Sequence, residues 1–518
     1  MQHQVISRGA DRPRFGQRPH RLSWSDAAPL LLVLLAALLI VAVNPLGYRG
    51  GGADDWHYMS AARCAAEQGF CLPPDHWWRR FPLVIPAGRA IAWFGEGNFG
   101  LWVVPLIYGV GAISLFVLMI QRQFGRLEAL LAGLVLVATP VFSERLLEIN
   151  VDTAEFAFVL AAAFFVERGY RKGSAIWILP AGAMLALAVQ ARPTSLALVP
   201  IFLMGLAIVP ALRRSIGAFA AGMAIPIGCE ALVYAIWTGD ALLPWKLSMA
   251  HTRIPTSELD ASVDLSQSPL FNVAYIDGWV PSVGIEAHWS VEGLVNLLAH
   301  PGIGLSLICG LLFIALHRQK LGTQLGGGKL MLFLIGGAML FFGALVYGLA
   351  VDPKPRMFLP VAAVASVCFG VFAARSWREG SRALVLVCLA LLLGKAAMAS
   401  YNRLDLQGAG ALARVWIAQE PADTLAADDL TSRFLTLSPE VRALPVHPDG
   451  DRRRVLVVSP GPCTDLTKSG DYRRWPILRS HRFDRAEPQL IRMLRERNLF
   501  MNARLAPSLC LLGRPAER

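Results

Sequence analysis

The sequence predicts an α-helical polytopic membrane protein of about eleven transmembrane helices, with interfacial helices in its first outer loop and a small C-terminal α/β extracytoplasmic domain. Three observations carry that expectation. Of the 518 residues 55% are hydrophobic and 17% charged, at a mean hydropathy of +0.47, which is too apolar for a soluble enzyme of this length. The apolar residues fall in repeated runs of near-bilayer length instead of one large core. Lys and Arg gather at every second connection between those runs.

The runs lie near Ala28 to Val43, Leu101 to Ile120, Leu127 to Phe142, Val151 to Val166, Ala175 to Val189, Ser195 to Leu212, Ile216 to Trp237, Gly302 to Leu316, Leu330 to Val351, Met357 to Ala374 and Ala383 to Ala399. The runs starting at Val151, Ala175 and Gly302 are short and need flanking residues to complete a span. The first run follows a leader containing Arg8, Arg12, Arg14, Arg18 and Arg21, with no clear small-x-small cleavage site after Val43. It reads as an uncleaved helix, with a signal peptide as the alternative.

Arg122 with Arg126, Arg168 with Arg171 and Lys172, Arg213 with Arg214, Arg318 with Lys320, and Arg375 with Arg378 and Arg382 fall on the side of the leader. The charge rule makes that side cytoplasmic, in a cell (inner) membrane. Topology thus explains most of the net charge of +12, and no nucleic-acid partner is expected.

The expected organisation is a basic leader over 1–26, a membrane domain over 27–400 with outer loops at 45–100 and 238–301, and an extracytoplasmic domain over 401–518. In that last domain helices are expected near Gly408 to Gln419 and Gln489 to Asn498, and strands near Arg454 to Ser459 and Leu509 to Gly513. Function is expected on the outer side, because the inner connections are too short to build a site. Cys64 with Cys71, and Cys463 with Cys510, are candidate disulfides there. Cys229, Cys309, Cys368 and Cys388 lie in apolar runs and read as small core residues.

Asp54 and Asp55 follow the first span directly. They read as helix caps, or as a general base or metal ligand, and the two roles can coexist. Asp152 opens the fourth span, where a carboxylate near hydrocarbon needs a cap role or a partner; Glu148 and Glu155 compete with it. Arg145, Arg192, Lys354 and Arg356 break the charge rule in short outer loops, and of these Arg192, Lys354 and Arg356, together with Arg79 and Arg80, are site candidates. Each reads either as a snorkelling side chain or as a cation for a lipid phosphate. Glu230, inside the seventh span, reads as a polar packing partner. From Phe81 to Phe94 the chain suits a helix lying in the interface plane.

In order and position these residues resemble the type C glycosyltransferases, in particular the polyprenyl-phosphate-sugar-dependent group of protein O-mannosyltransferases and bacterial aminoarabinose transferases of lipid A. The likeness covers roughly residues 27–400. Asp54-Asp55-Trp-His-Tyr58 is similar to the family's acidic pair, Arg80-Phe-Pro-Leu83 to its basic residue before an interfacial helix, and Asp152 to its second acidic position. Arg192-Pro-Thr194 and Arg356-Met-Phe-Leu-Pro360 are similar to its later basic elements. Arg80 stands where Lys is common, Phe81 where proline is usual and Met357 where an aromatic is frequent.

The resemblance implies transfer of a sugar from a polyprenyl-phosphate carrier to a hydroxyl of a lipid, glycan or protein acceptor outside the membrane, with inversion. It implies Asp55, or Asp54, as base, and Arg80, Arg192, Arg356 and Lys354 at the donor phosphate. A divalent cation between Asp55 and Asp152 is an open cofactor. The competing expectation is a transporter or lipid flippase, which calls for ionisable pairs near the bilayer midplane.

Overall fold

The computed structural model describes residues 24–43, 53–71, 76–251, 279–280, 285–286, 288–317, 328–348, 355–401, 407–421, 423–428, 431–432, 435, 438–446, 453–459, 462–468, 472–483 and 508–515. Residues 1–23 of the leader, Arg318 with Lys320, Lys354, half of the second outer loop and the helix expected near Gln489 to Asn498 lie outside these residues.

Among the described residues up to Tyr401 helices predominate: α1 Trp24–Ala42, α2 Ala53–Gln68, α3 Phe81–Phe94, α4 Asn98–Gln123, α5 Arg126–Val137, α6 Pro140–Ser143, α7 Val151–Lys172, α8 Ile178–Ala191, α9 Val199–Ile208, α10 Pro210–Arg213, α11 Ile216–Thr238, α12 Leu243–His251, α13 Trp289–Ala299, α14 Gly304–Leu316, α15 Gly328–Gly343, α16 Leu359–Arg378 and α17 Arg382–Tyr401. Among the described residues five helices are long and apolar enough to cross a membrane, or six if α13 and α14, bent by 104° at their junction, cross together. The protein is thus an integral membrane protein, and among the described residues fewer helices than apolar runs meet that length and composition. Local chemistry accounts for the difference. Apolar α5 ends after 12 residues, the 3-10 turn Pro193–Leu198 shortens the run that contains α9, and α7 carries Asp152 and Glu155 in its first turns.

Side-chain pairs define two ends of the bundle. At one, Arg126 meets Asp26 at 2.5 Å, Arg171 meets Glu167 at 2.6 Å, Arg122 meets Glu167 at 3.8 Å and Arg378 meets Glu128 at 2.7 Å. The start of α1, the α4–α5 connection, the end of α7 and the end of α16 therefore share a basic end. The start of α7, the end of α8 and the start of α16 lie at the other, beside α2 and α3. Between them Phe142, Phe156, Phe313, Phe369 and Phe372 are fully buried. Helices α8 and α11 meet through glycines: a Cβ on Gly182 would lie 2.0 Å from the Phe219 carbonyl oxygen, and one on Gly222 would lie 1.9 Å from that of Leu179. Such small residues let backbones approach where lipid supplies no hydrophobic drive.

After α17 come α18 (Gln407–Gln419) and a four-stranded sheet of β3 (Leu425–Ala427), β4 (Arg454–Ser459), β5 (Ile477–Arg482) and β6 (Ser508–Gly513); a two-residue hairpin, β1 (Trp279–Val280) with β2 (Ile285–Glu286), precedes α13. The sheet order is β3-β4-β6-β5, parallel between β3 and β4 and antiparallel elsewhere. Strands β4 and β6 are buried, as their runs of Val and Leu suggest. β5 is an exposed edge whose Arg479, His481 and Arg482 mask it from a strand reading and discourage edge-to-edge pairing. Cys463 is bonded to Cys510.

Candidate active site

Helix α2 starts with Asp54 and Asp55 in its first turn. Asp54 accepts a 2.8 Å hydrogen bond from Trp77 Nε1 and pairs with Arg356, 302 residues away along the chain. Trp77 is itself stacked on His57, ring centroids 4.1 Å apart. Asp55 is buried, at 2% exposure. The first outer loop and the turn before α16 thus meet at one carboxylate.

The cap of α7 is Asn150, whose side chain accepts the Thr153 amide at 2.9 Å. Asp152 is therefore spared capping, and its carboxylate instead takes a hydrogen bond from Arg192 at the end of α8. Arg192 also lies 3.4 Å from Glu155, which accepts from Ser195. On the other side of Asp152, Arg145 Nε is 3.9 Å away, and Arg145 Nη1 bonds Glu148 at 2.5 Å. Burial alone would lower the Arg145 pKa, but the fields of Glu148, Asp152 and Asp55 outweigh it and hold the guanidinium firmly charged. Arg145 thereby joins the two acidic positions electrostatically.

Arg80 completes the cluster. It is 8% exposed, and its Nε and Nη1 have no hydrogen-bond partner among the described residues. Burial pushes its pKa down to about 10; Tyr58 and Asp54 work against that, and the nearby Arg79 and Arg192 cations add to it. Tyr58 is buried in α2 one turn after Asp54 and Asp55, and burial raises its phenol pKa well above the usual value. Arg79, next in the chain, is placed differently. Fully buried, it faces Glu230 of α11 at 3.6 Å, donates to the Pro244 carbonyl and lies 5.6 Å over the Trp245 ring.

Helix α3 occupies the residues expected of an interfacial helix. Its inner face, Leu83, Val84, Ala87, Ala90 and Ile91, is buried, while Trp93 and Phe94 at its end are exposed. A Cβ on Gly88 would lie 2.7 Å from that of Ala65, so α3 packs closely on α2, and Cys64 is bonded to Cys71 where α2 ends. A small apolar hollow lined by Phe70, Trp78, Phe81 and Val84 lies between them.

Of the residues singled out in the sequence, the structure brings Asp54, Asp55, Asp152, Arg80, Arg192 and Arg356 to one end of the bundle. Arg145, Tyr58 and the Glu155–Ser195 contact are additional members. Arg145 carried one local signal, a basic residue on the side poor in basic residues; Tyr58 carried none. Among the described residues no three His, Cys, Asp or Glu side chains form a cation site. Asp152 faces Arg192 and Arg145, which a divalent ion shared with Asp55 would have to displace. The residues as arranged do not fit such an ion.

Residues 82–237 match the model of a family described as dolichyl-phosphate-mannose-protein mannosyltransferase. The chain is similar to the type C glycosyltransferases. The matched segment contains Asp152, Arg192 and α3 from Pro82 onward. A putative mannosyltransferase of Bacillus subtilis (strain 168), YkcB, is 32% identical over 88 residues, which are 17% of this chain and 12% of that protein's length. In fold, the Archaeoglobus fulgidus oligosaccharyltransferase in its apo form aligns with a TM-score of 0.54 and 13% identity, over 84% of this chain and 70% of that one. ArnT from Cupriavidus metallidurans bound to undecaprenyl phosphate aligns with a TM-score of 0.49 and 15% identity, over 95% and 99% of the two chains.

Proposed function

We propose that the protein transfers a sugar from a polyprenyl-phosphate carrier to an acceptor hydroxyl on the extracytoplasmic face, with inversion at the anomeric carbon. The observation that carries this reading is Arg80, a buried guanidinium with two unbonded nitrogens among the described residues, within the electrostatic reach of Asp54 and Arg192. A cation so placed calls for an anion, and at membrane depth a lipid phosphate supplies one. The family match and the shared fold support the same reading.

In the step, the acceptor oxygen attacks the anomeric carbon from the face opposite the phosphate. The bond from that carbon to the phosphate oxygen breaks, and its electron pair leaves on the phosphate. Arg80 stabilises that developing charge, with Arg192 oriented nearby by Asp152 and Glu155. Asp54 is held by Arg356 and Trp77 and acts as a positioning group. Asp55 takes the proton of the acceptor hydroxyl. The exposed end of α3 and the hollow beside Phe81 let the isoprenoid tail stay in lipid while its head enters the site. In this reading the basic end is cytoplasmic, and residues 401–518 form an extracytoplasmic α/β domain that helps to present the acceptor.

Radiolabelled lipid-linked sugar, supplied to the purified protein in liposomes, tests the proposal. Label should move to acceptor with stoichiometric release of polyprenyl phosphate. Label crossing the bilayer without bond cleavage would instead identify a transporter or flippase.

A further inference from the structure

We propose that Glu230 is a positioning residue of the donor site, setting through Arg79 the placement of Arg80 and through Gln190 the end of α8 that carries Arg192. The inference rests on the transferase reading and extends it to a carboxylate that no substrate group needs to touch.

Glu230 sits within α11 at 4% exposure. A carboxylate there is costly unless partnered, and it has two partners from different elements. One oxygen, Oε1, lies 3.6 Å from Arg79 Nη2. The other, Oε2, accepts from Gln190 Nε2 at 3.2 Å, and the same Gln190 nitrogen donates to the Pro226 carbonyl at 2.8 Å. Arg79 immediately precedes Arg80, and Gln190 lies two residues before Arg192. Each arm of Glu230 therefore ends beside a cation of the site.

Further contacts surround the pair. Arg79 is further tied to the Pro244 carbonyl and the Trp245 ring, Phe81 stacks on Tyr234 one turn along α11, and Phe70 meets Trp237 edge-on. A buried ion pair adds little net stability compared with apolar packing. Geometric definition is the role left for Glu230. Two guanidiniums that repel one another are kept at a set spacing by a carboxylate that bonds neither of them.

Binding of undecaprenyl phosphate and of undecaprenol to the purified full-length protein reads this role, because only the phosphate lipid engages the cations. Glu230→Gln should weaken binding of the phosphate lipid about tenfold and leave that of the alcohol unchanged; Arg79→Lys, which keeps the charge but not the fork, should fall between. Arg79→Met combined with Glu230→Gln removes both charges. That double variant should recover the thermal stability lost by either single change and still bind the phosphate lipid weakly.

Wild-type phosphate affinity in Glu230→Gln, or in the double variant, overturns the inference while leaving the transferase reading intact. Equal loss of phosphate and alcohol binding assigns Glu230 a general structural role and overturns it too. Failure of the wild type to prefer undecaprenyl phosphate over undecaprenol sinks the transferase reading itself.

Discussion

Both ends of the helix bundle carry arginines paired with carboxylates, but the pairs differ in their access to solvent. At the basic end the Arg126 and Arg378 side chains are 52% and 58% exposed. At the site end Arg192 is 7% exposed and its partner Asp152 1%. Exposed pairs contribute little energy and mainly record which way the chain is threaded. Buried ones confront the full desolvation of both ions. Charge held at such cost at one end of the bundle is what the proposed donor site would require.

The comparison breaks first at the proposed base. Asp55→Asn should lower transfer by roughly three orders of magnitude, within the range for a positioned general base, with the protein still folded in detergent; turnover by the purified variant near the wild-type rate would return Asp55 to a structural role. Next in size, Arg192→Met leaves Asp152 and Glu155 facing no cation from α8. It should destabilise the protein by about 3 kcal/mol, whereas Asp26→Asn at the basic end should change stability by no more than about 0.5 kcal/mol. Thermal unfolding of the two variants side by side sharpens the contrast, and equal shifts would erase it.

A pH titration follows from Arg80. Burial disfavours its charged form and brings its pKa down to about 10. Affinity for polyprenyl phosphate should therefore hold from neutrality to about pH 9 and fall as pH rises through about 10, the direction in which the guanidinium loses its proton. Arg80→Lys starts from a lower ordinary pKa and suffers the same burial, so its affinity should fall at a lower pH. Coincident profiles would show that another group governs binding. The smallest effect is expected from chelation: transfer in excess EDTA should proceed at the untreated rate, and loss of turnover restored by a divalent cation would reinstate an ion between Asp55 and Asp152.

Much of the site was legible in the sequence because its members are marked locally. An acidic pair just past a span, a carboxylate at a span's entrance and arginines on the basic-poor side each violate a strong rule, and the rule supplies the meaning. The bounds of α3 were legible for a similar reason, since Pro82 near its start and Trp93 near its end bracket an apolar stretch. Pairing between distant segments was not. Nothing near Asp54 names Arg356, and nothing near Arg79 names Glu230, because such partners are chosen by packing of the whole bundle. Capping was resolved only by backbone geometry: Asn150, two residues before Asp152, takes the cap and leaves the acid to Arg192. Helix ends within the apolar runs were marked less clearly. Apolar runs such as that from Leu127 to Phe142 read as spans by composition, yet Thr139 and Pro140 end α5 well before the run does.

Convergence of Asp54 and Arg356 from opposite parts of the chain at one membrane face can be measured directly. In a background with Cys229, Cys309, Cys368 and Cys388 replaced by serine, Asp54→Cys with Arg356→Cys should be joined efficiently by a short bifunctional thiol reagent, while Asp26→Cys with Arg356→Cys should not. Joining of the second pair but not of the first would place the acidic pair and the late arginine at different ends of the bundle, and the single charged site described above would not exist.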